Sequence, residues 1–105
     1  MSARRPAIRL TQRAKRDIEN ILLYTRRTWG AEQTATYRRA ITRLWALLRA
    51  HPQLGQPRED LFPGCREIKL EQHVVFYQPL ASEITVVRIL HSLQDPTGKV
   101  EKPRS

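Results

Sequence analysis

Residues 11–50 read TQRAKRDIENILLYTRRTWGAEQTATYRRAITRLWALLRA, and they hold two apolar stripes separated by one glycine. In the first, Ala14, Ile18, Ile21, Leu22 and Trp29 recur at offsets of three and four, with the small Thr25 filling the gap. That spacing predicts one apolar helical face, with Arg13, Lys15, Arg16, Glu19, Asn20, Arg26 and Arg27 mostly elsewhere. Thr11 stands where a side-chain oxygen can accept an orphaned amide of the first turn. Gly30 stands where the chain needs a left-handed residue to leave the helix. The second stripe is Tyr37, Ile41, Leu44 and Leu48, widened by Ala40, Trp45 and Leu47, and no Gly or Pro interrupts Ala31 to Ala50. So short a link makes the two helices an antiparallel hairpin.

Pro52 and Gly55 end the helical part, and residues 51–64 read as a loop. Beyond it the segments Cys65 to Leu70, His73 to Gln78 and Glu83 to His91 are together rich in Val, Ile, Phe and Tyr. Turns at Glu71-Gln72 and at Pro79 to Ser82 make them an antiparallel meander. The alternation Ala7-Ile8-Arg9-Leu10 predicts a first strand at a sheet edge. The expected fold is α+β, in the order β-α-α-β-β-β, with the helical hairpin covering one sheet face. The expected limits are a flexible N-terminus over 1–6, one domain over 7–95 and a mobile basic tail over 97–105.

The chain has 105 residues, with 19 Lys and Arg against 10 Asp and Glu, a formal +9. One domain of this size buries a single core and little more. The excess charge favours an acidic partner, whether nucleic acid, protein segment or anionic membrane, without choosing among them. The single cysteine, Cys65, forms no internal disulfide and reads as a small apolar residue at a strand start. No zinc-ligand spacing is present, and no metal or cofactor is expected. No apolar run approaches the roughly 20 residues of a membrane span. The N-terminus lacks a secretory pattern, so the expected location is the cytoplasm.

Several pieces, in order, resemble the ParE branch of the RelE/ParE toxin superfamily. Leu10-Thr-Gln-Arg-Ala14 with Asp17-Ile18 is similar to the start of that family's first helix. Tyr24, Trp29, Gly30 and Tyr37 resemble its hairpin signature. His51-Pro-Gln-Leu-Gly-Gln-Pro-Arg58 resembles its helix-to-sheet loop. Pro63-Gly-Cys-Arg66, His73-Val-Val-Phe-Tyr77 and Arg88-Ile-Leu-His91, ending at Asp95, resemble its strands. The resemblance covers about residues 8–95. It implies a toxin of a type II toxin–antitoxin pair, bound by a cognate antitoxin in a hetero-oligomer. It further implies DNA gyrase as target, trapped on cleaved DNA, with no sequence-specific nucleic-acid binding.

The superfamily's other branch cuts mRNA on the ribosome by 2′-hydroxyl attack on the adjacent phosphate. That chemistry needs a base, an acid and a cation for the phosphorane charge. The nuclease branch places an Arg just after the start of the central strand, near a His or Arg ending the last strand. Here that Arg position is Val74, while His91 remains and is followed by Ser92 and Leu93. Losing the group that meets transition-state charge costs roughly 10²–10³-fold. The expectation is therefore a binder rather than an enzyme, with mRNA cleavage or a non-toxic partner-binding module as the alternatives.

The candidate target contacts are Arg66, Arg88 and His91. Each also has a structural reading. Arg66 and Arg88 fall on mostly apolar strand faces and call for a helix carboxylate such as Asp17 or Glu19. His91 reads as a strand-end ring bonded to a neighbouring carbonyl, and His73 as a ring satisfying turn groups. The candidate antitoxin contacts are Arg38, Arg39 and Arg43, on a basic helix surface that also includes Arg49, together with Trp45 at the stripe's edge. Trp29 and Tyr37 are expected in the core.

Overall fold

The computed structural model describes residues 5–104. The elements are β1 (Ala7–Leu10), α1 (Gln12–Trp29), α2 (Ala31–Ala50), β2 (Gln56–Pro57), β3 (Arg66–Leu70), β4 (His73–Pro79) and β5 (Glu83–His91). The β-α-α-β-β-β order stands, with β2 added inside the expected loop. Its two residues pair with Glu67 and Arg66 of β3. A pair that short leaves no alternation to read.

Thr11 caps α1 by accepting the Ala14 N–H, and its own hydroxyl donates to the Val87 carbonyl on β5. The cap therefore anchors the helix to the sheet as well as starting it. Gly30 serves both helices. Its N–H donates to the Arg26 carbonyl, and its carbonyl accepts from both the N–H and the hydroxyl of Thr34. Its φ of 94° and ψ of 178° lie in a region essentially reserved for glycine.

The sheet order is β1-β5-β4-β3-β2. β1 lies at an edge, as expected, and runs parallel to β5; the β2–β3, β3–β4 and β4–β5 pairs are antiparallel. Between β4 and β5 the register shifts, so Tyr77 faces Val86, Phe76 faces Arg88, and Val87 is the extra residue. This bulge changes a reading made by simple alternation. Ile84, Val86 and Ile89 join the core under the helices, while Val87 and Leu90 pack on the other side. Arg88 does not share a face with Ile84 and Val86 as uninterrupted alternation predicts.

The main core joins Ala14, Tyr37, Ile41, Leu44 and Leu48 of the hairpin to Leu70, Val75, Tyr77, Ile84, Val86 and Ile89 of the sheet. The opposite sheet face is also covered. Phe62, Cys65, Phe76, Val87, Leu90 and Val100 form a second cluster there. The sheet is thus buried on both faces, which explains why β5 reads as a near-continuous apolar run.

Val100 corrects one expectation. It is 3% exposed and holds the segment beginning at residue 97 against the sheet, where a mobile tail was expected. A single apolar residue among Lys99, Glu101 and Lys102 carries no periodicity, so nothing in the sequence announces the contact. The lead-in expected over 1–6 lies outside the described residues for residues 1–4. Trp29 is a second correction. It is 69% exposed and borders Tyr37, Glu71 and Gln72. Helical spacing sets a side chain's direction, but here the ring lines an open hollow that polar Gln33, Glu71 and Gln72 share with Tyr37. Leu47, read into the α2 stripe, is exposed as well.

A Cβ at Gly30 would meet no other atom within 4 Å. Gly30→Ala should therefore cost backbone strain alone, about 1–3 kcal/mol in urea unfolding. An unchanged unfolding free energy would contradict this account of the hairpin link.

Candidate functional site

Arg88 and Asp17 form the most buried ion pair among the described residues, at 12% and 13% side-chain exposure. Arg88 Nε donates to Asp17 Oδ2 at 2.8 Å and Nη2 to Oδ1 at 3.1 Å. The Ile89 N–H donates to the same Oδ2 at 2.9 Å. Arg88 Nη1 donates to the Lys99 carbonyl at 3.0 Å. Its guanidinium is thus engaged on both sides within the fold, by the Lys99 carbonyl and by one of the two carboxylates, Asp17 and Glu19, that the sequence suggested.

Arg66 has a different partner from the expected helix carboxylate. Its Nη1 donates to the carbonyls of Gln53 and Gly55, in the loop after α2. Tyr77 pins the same loop. Its hydroxyl donates to the Pro52 carbonyl at 2.9 Å and accepts the Gly55 N–H at 2.8 Å. A Cβ at Gly55 would lie 2.6 Å from the Glu67 carbonyl oxygen, so only glycine fits. Sequence reasoning did not single out Tyr77. A tyrosine in the middle of a buried strand is the signal, since its hydroxyl must find partners.

His73 and His91 are opposite each other across β4 and β5. Their rings meet edge to face at 5.4 Å, and His73 meets Tyr37 in the same way at 5.8 Å. His73 Nδ1 shares a 2.8 Å hydrogen bond with the Tyr37 hydroxyl, not with the turn groups expected. Burial, then the neighbouring His91, holds the His73 pKa below its usual value, favouring the neutral ring. His91 Nδ1 accepts the Leu93 N–H at 3.1 Å. This reverses the expected bond to a carbonyl, because the chain turns back over the ring at residues 92–94. Val74, where a nuclease would carry Arg, packs on the second cluster. Cys65 is fully buried in that cluster, and burial pushes its thiol up to about 12, far from a reactive thiolate.

The basic helix surface divides. Arg38 edges a groove of about 520 Å³ between the helices, floored by Ile18, Leu22, Leu23, Ala31 and Ala35. Trp45 lines a separate hollow of about 440 Å³ with Ala7, Ile8, Thr42, Ala46 and Arg49. Ala31, Ala35, Arg38, Thr42, Trp45 and Arg49 follow one another at steps of three and four. They form one strip along α2, about 27 Å long. The hollows thus lie along a single helix face. Arg39 and Arg43 are exposed outside both. This strip was legible as a second periodicity, hidden behind the stronger apolar stripe.

With this geometry in view, comparisons with known proteins decide the family. Residues 8–96 match the model of the ParE toxin of type II toxin–antitoxin systems, parDE. The chain belongs to the ParE toxin family. It is 39% identical over 83 residues to Toxin ParE1 of Caulobacter vibrioides, covering 79% of this chain and 85% of that one. It is 39% identical over 87 residues to Toxin ParE of Escherichia coli, covering 82% and 84%. Against Toxin ParE1 of Mycobacterium tuberculosis it is 30% identical over 87 residues, covering 82% and 89%. A solved structure titled as the chromosomal ParDE system from P. aeruginosa shares the fold, with TM-score 0.68 at 22% identity, covering 82% of this chain and 95% of that one. The protein is thus a ParE-family toxin of a type II system, with an antitoxin as its partner. No helix among the described residues is long and apolar enough to cross a membrane.

Removing the Asp17 carboxylate would leave Arg88 and the Ile89 N–H without their partner. Asp17→Ala should cost about 3 kcal/mol in urea unfolding. Adding Arg88→Met should recover part of that loss. Strictly additive losses would contradict the coupling.

Proposed function

We propose that this toxin acts by binding, with DNA gyrase as its target in the cytoplasm, and that it holds the enzyme on cleaved DNA. The observation that carries this reading, beyond family membership, is the arrangement around His91. Stabilising a phosphorane needs a cation aimed at the scissile phosphate. The position that would supply it is Val74, which packs on the second cluster. The nearby guanidinium of Arg88 is turned to Asp17 and Lys99. His73 packs against His91 and bonds Tyr37, while His91 Nδ1 takes the Leu93 N–H, an arrangement suited to packing.

The antitoxin would occupy the strip along α2. Its apolar floor suits the nonpolar face of a helix laid in a groove. Arg26, Arg38 and Arg49 flank it and suit an acidic segment. Arg39 and Arg43, off the strip, would contribute steering rather than contact. Arg66 and His91 remain candidate contacts to gyrase on the sheet side.

Antitoxin-free protein is expected to abolish gyrase supercoiling and accumulate cleaved plasmid, and its cognate antitoxin should restore activity. Ala35→Trp, which fills the groove, should inhibit gyrase equally but need roughly tenfold more antitoxin for neutralisation. Unaffected supercoiling with no cleaved DNA would overturn the target. Unchanged neutralisation of the variant would overturn the groove.

A further inference from the structure

A further groove lies away from the hairpin strip. It is about 600 Å³ and runs between β1, the start of α1, β5 and the segment after residue 97. Six basic side chains line it against one carboxylate, Glu101. Arg9 and Arg88 are already paired, with Glu83 and Asp17. Arg13, Lys99, Lys102 and Arg104 make no ion pair among the described residues. The first turn of α1, which opens on this groove, carries no acidic residue. The concentration of charge is created by the fold: the buried Val100 and the Arg88 bond to the Lys99 carbonyl bring the C-terminal cations beside Arg13.

We propose that this groove takes the phosphodiester backbone of duplex DNA, without reading its sequence. The wall chemistry favours this occupant over others. Val87 and Pro103 are the apolar side chains of the lining, too few to give a peptide the buried anchors that protein partners rely on. No lining residue is aromatic, so unstacked bases of single strands or RNA loops find no stacking platform. Cations on three separate chain segments, with a helix start free of acid, match a row of phosphates. The groove would hold the toxin beside a duplex on a surface separate from the antitoxin strip. The inference stands apart from the choice of topoisomerase, because the duplex alone is the probe.

The test is fluorescence anisotropy of the full chain with a labelled 20-base-pair duplex of mixed sequence, at several salt concentrations. The triple variant Arg13→Glu, Lys102→Glu, Arg104→Glu should weaken binding at least roughly tenfold and flatten the log–log salt slope by about 2–3. The neutral triple Arg13→Gln, Lys102→Gln, Arg104→Gln should show the same direction with a smaller loss. A charge-matched triple elsewhere, Arg27→Glu, Arg43→Glu, Lys69→Glu, should change the affinity much less. Circular-dichroism melting of each variant confirms that folded protein is compared. Equal losses in the two glutamate triples would reduce the effect to net charge and overturn the proposal. So would poly-glutamate of equal charge displacing the duplex as well as unlabelled duplex does. Tighter binding of single-stranded RNA, or no duplex binding at all, would also overturn it.

Discussion

One carboxylate ties the two layers of this protein together. Asp17 projects from α1 and meets Arg88 with both oxygens, while one of them also takes the Ile89 N–H. The contact sits just past the β-bulge at Val87. There the ladder is irregular and a backbone amide needs a partner outside it. Arg88 then reaches on to the Lys99 carbonyl and holds the C-terminal segment. Helix, bulged strand and C-terminal segment are therefore fixed through two side chains. An ion pair at this depth stabilises only when its remaining donors are satisfied, and here the fork and the carbonyl satisfy them.

The remaining polar groups of the interior follow the same economy. Tyr77 and Arg66 hold the loop that follows α2, and Tyr37 holds His73. No buried side-chain nitrogen or oxygen among the described residues lacks a partner. Two outer surfaces carry grooves bordered by basic side chains. Those surfaces differ in kind. The α2 strip is apolar with basic borders and suits a protein helix. The groove beside β1 is basic with few apolar contacts and suits phosphates.

Elements with a strong period could be read directly from the residues. The hairpin, its Thr11 cap, the Gly30 link and the meander all follow from spacing and turn chemistry. The need of a half-buried guanidinium for a carboxylate narrowed the partner of Arg88 to a helix carboxylate such as Asp17 or Glu19, and the structure selects Asp17. Features resting on one residue could not be read. The bulge at Val87 shifts alternation without any glycine to mark it. Val100 is a single apolar anchor in a charged segment. Trp29 has core spacing and is nonetheless left exposed. His91 has the residue type of a catalytic acid, and in the sequence Val74 in the arginine position and Ser92-Leu93 after the histidine argue against that role.

The central claim is that this toxin works by grip rather than by cutting RNA. Primer extension across abundant mRNAs after expression without antitoxin tests it most directly. The account predicts full-length extension products while growth stops. Ribosome-dependent breaks at defined codons, lost on His91→Ala, would contradict it.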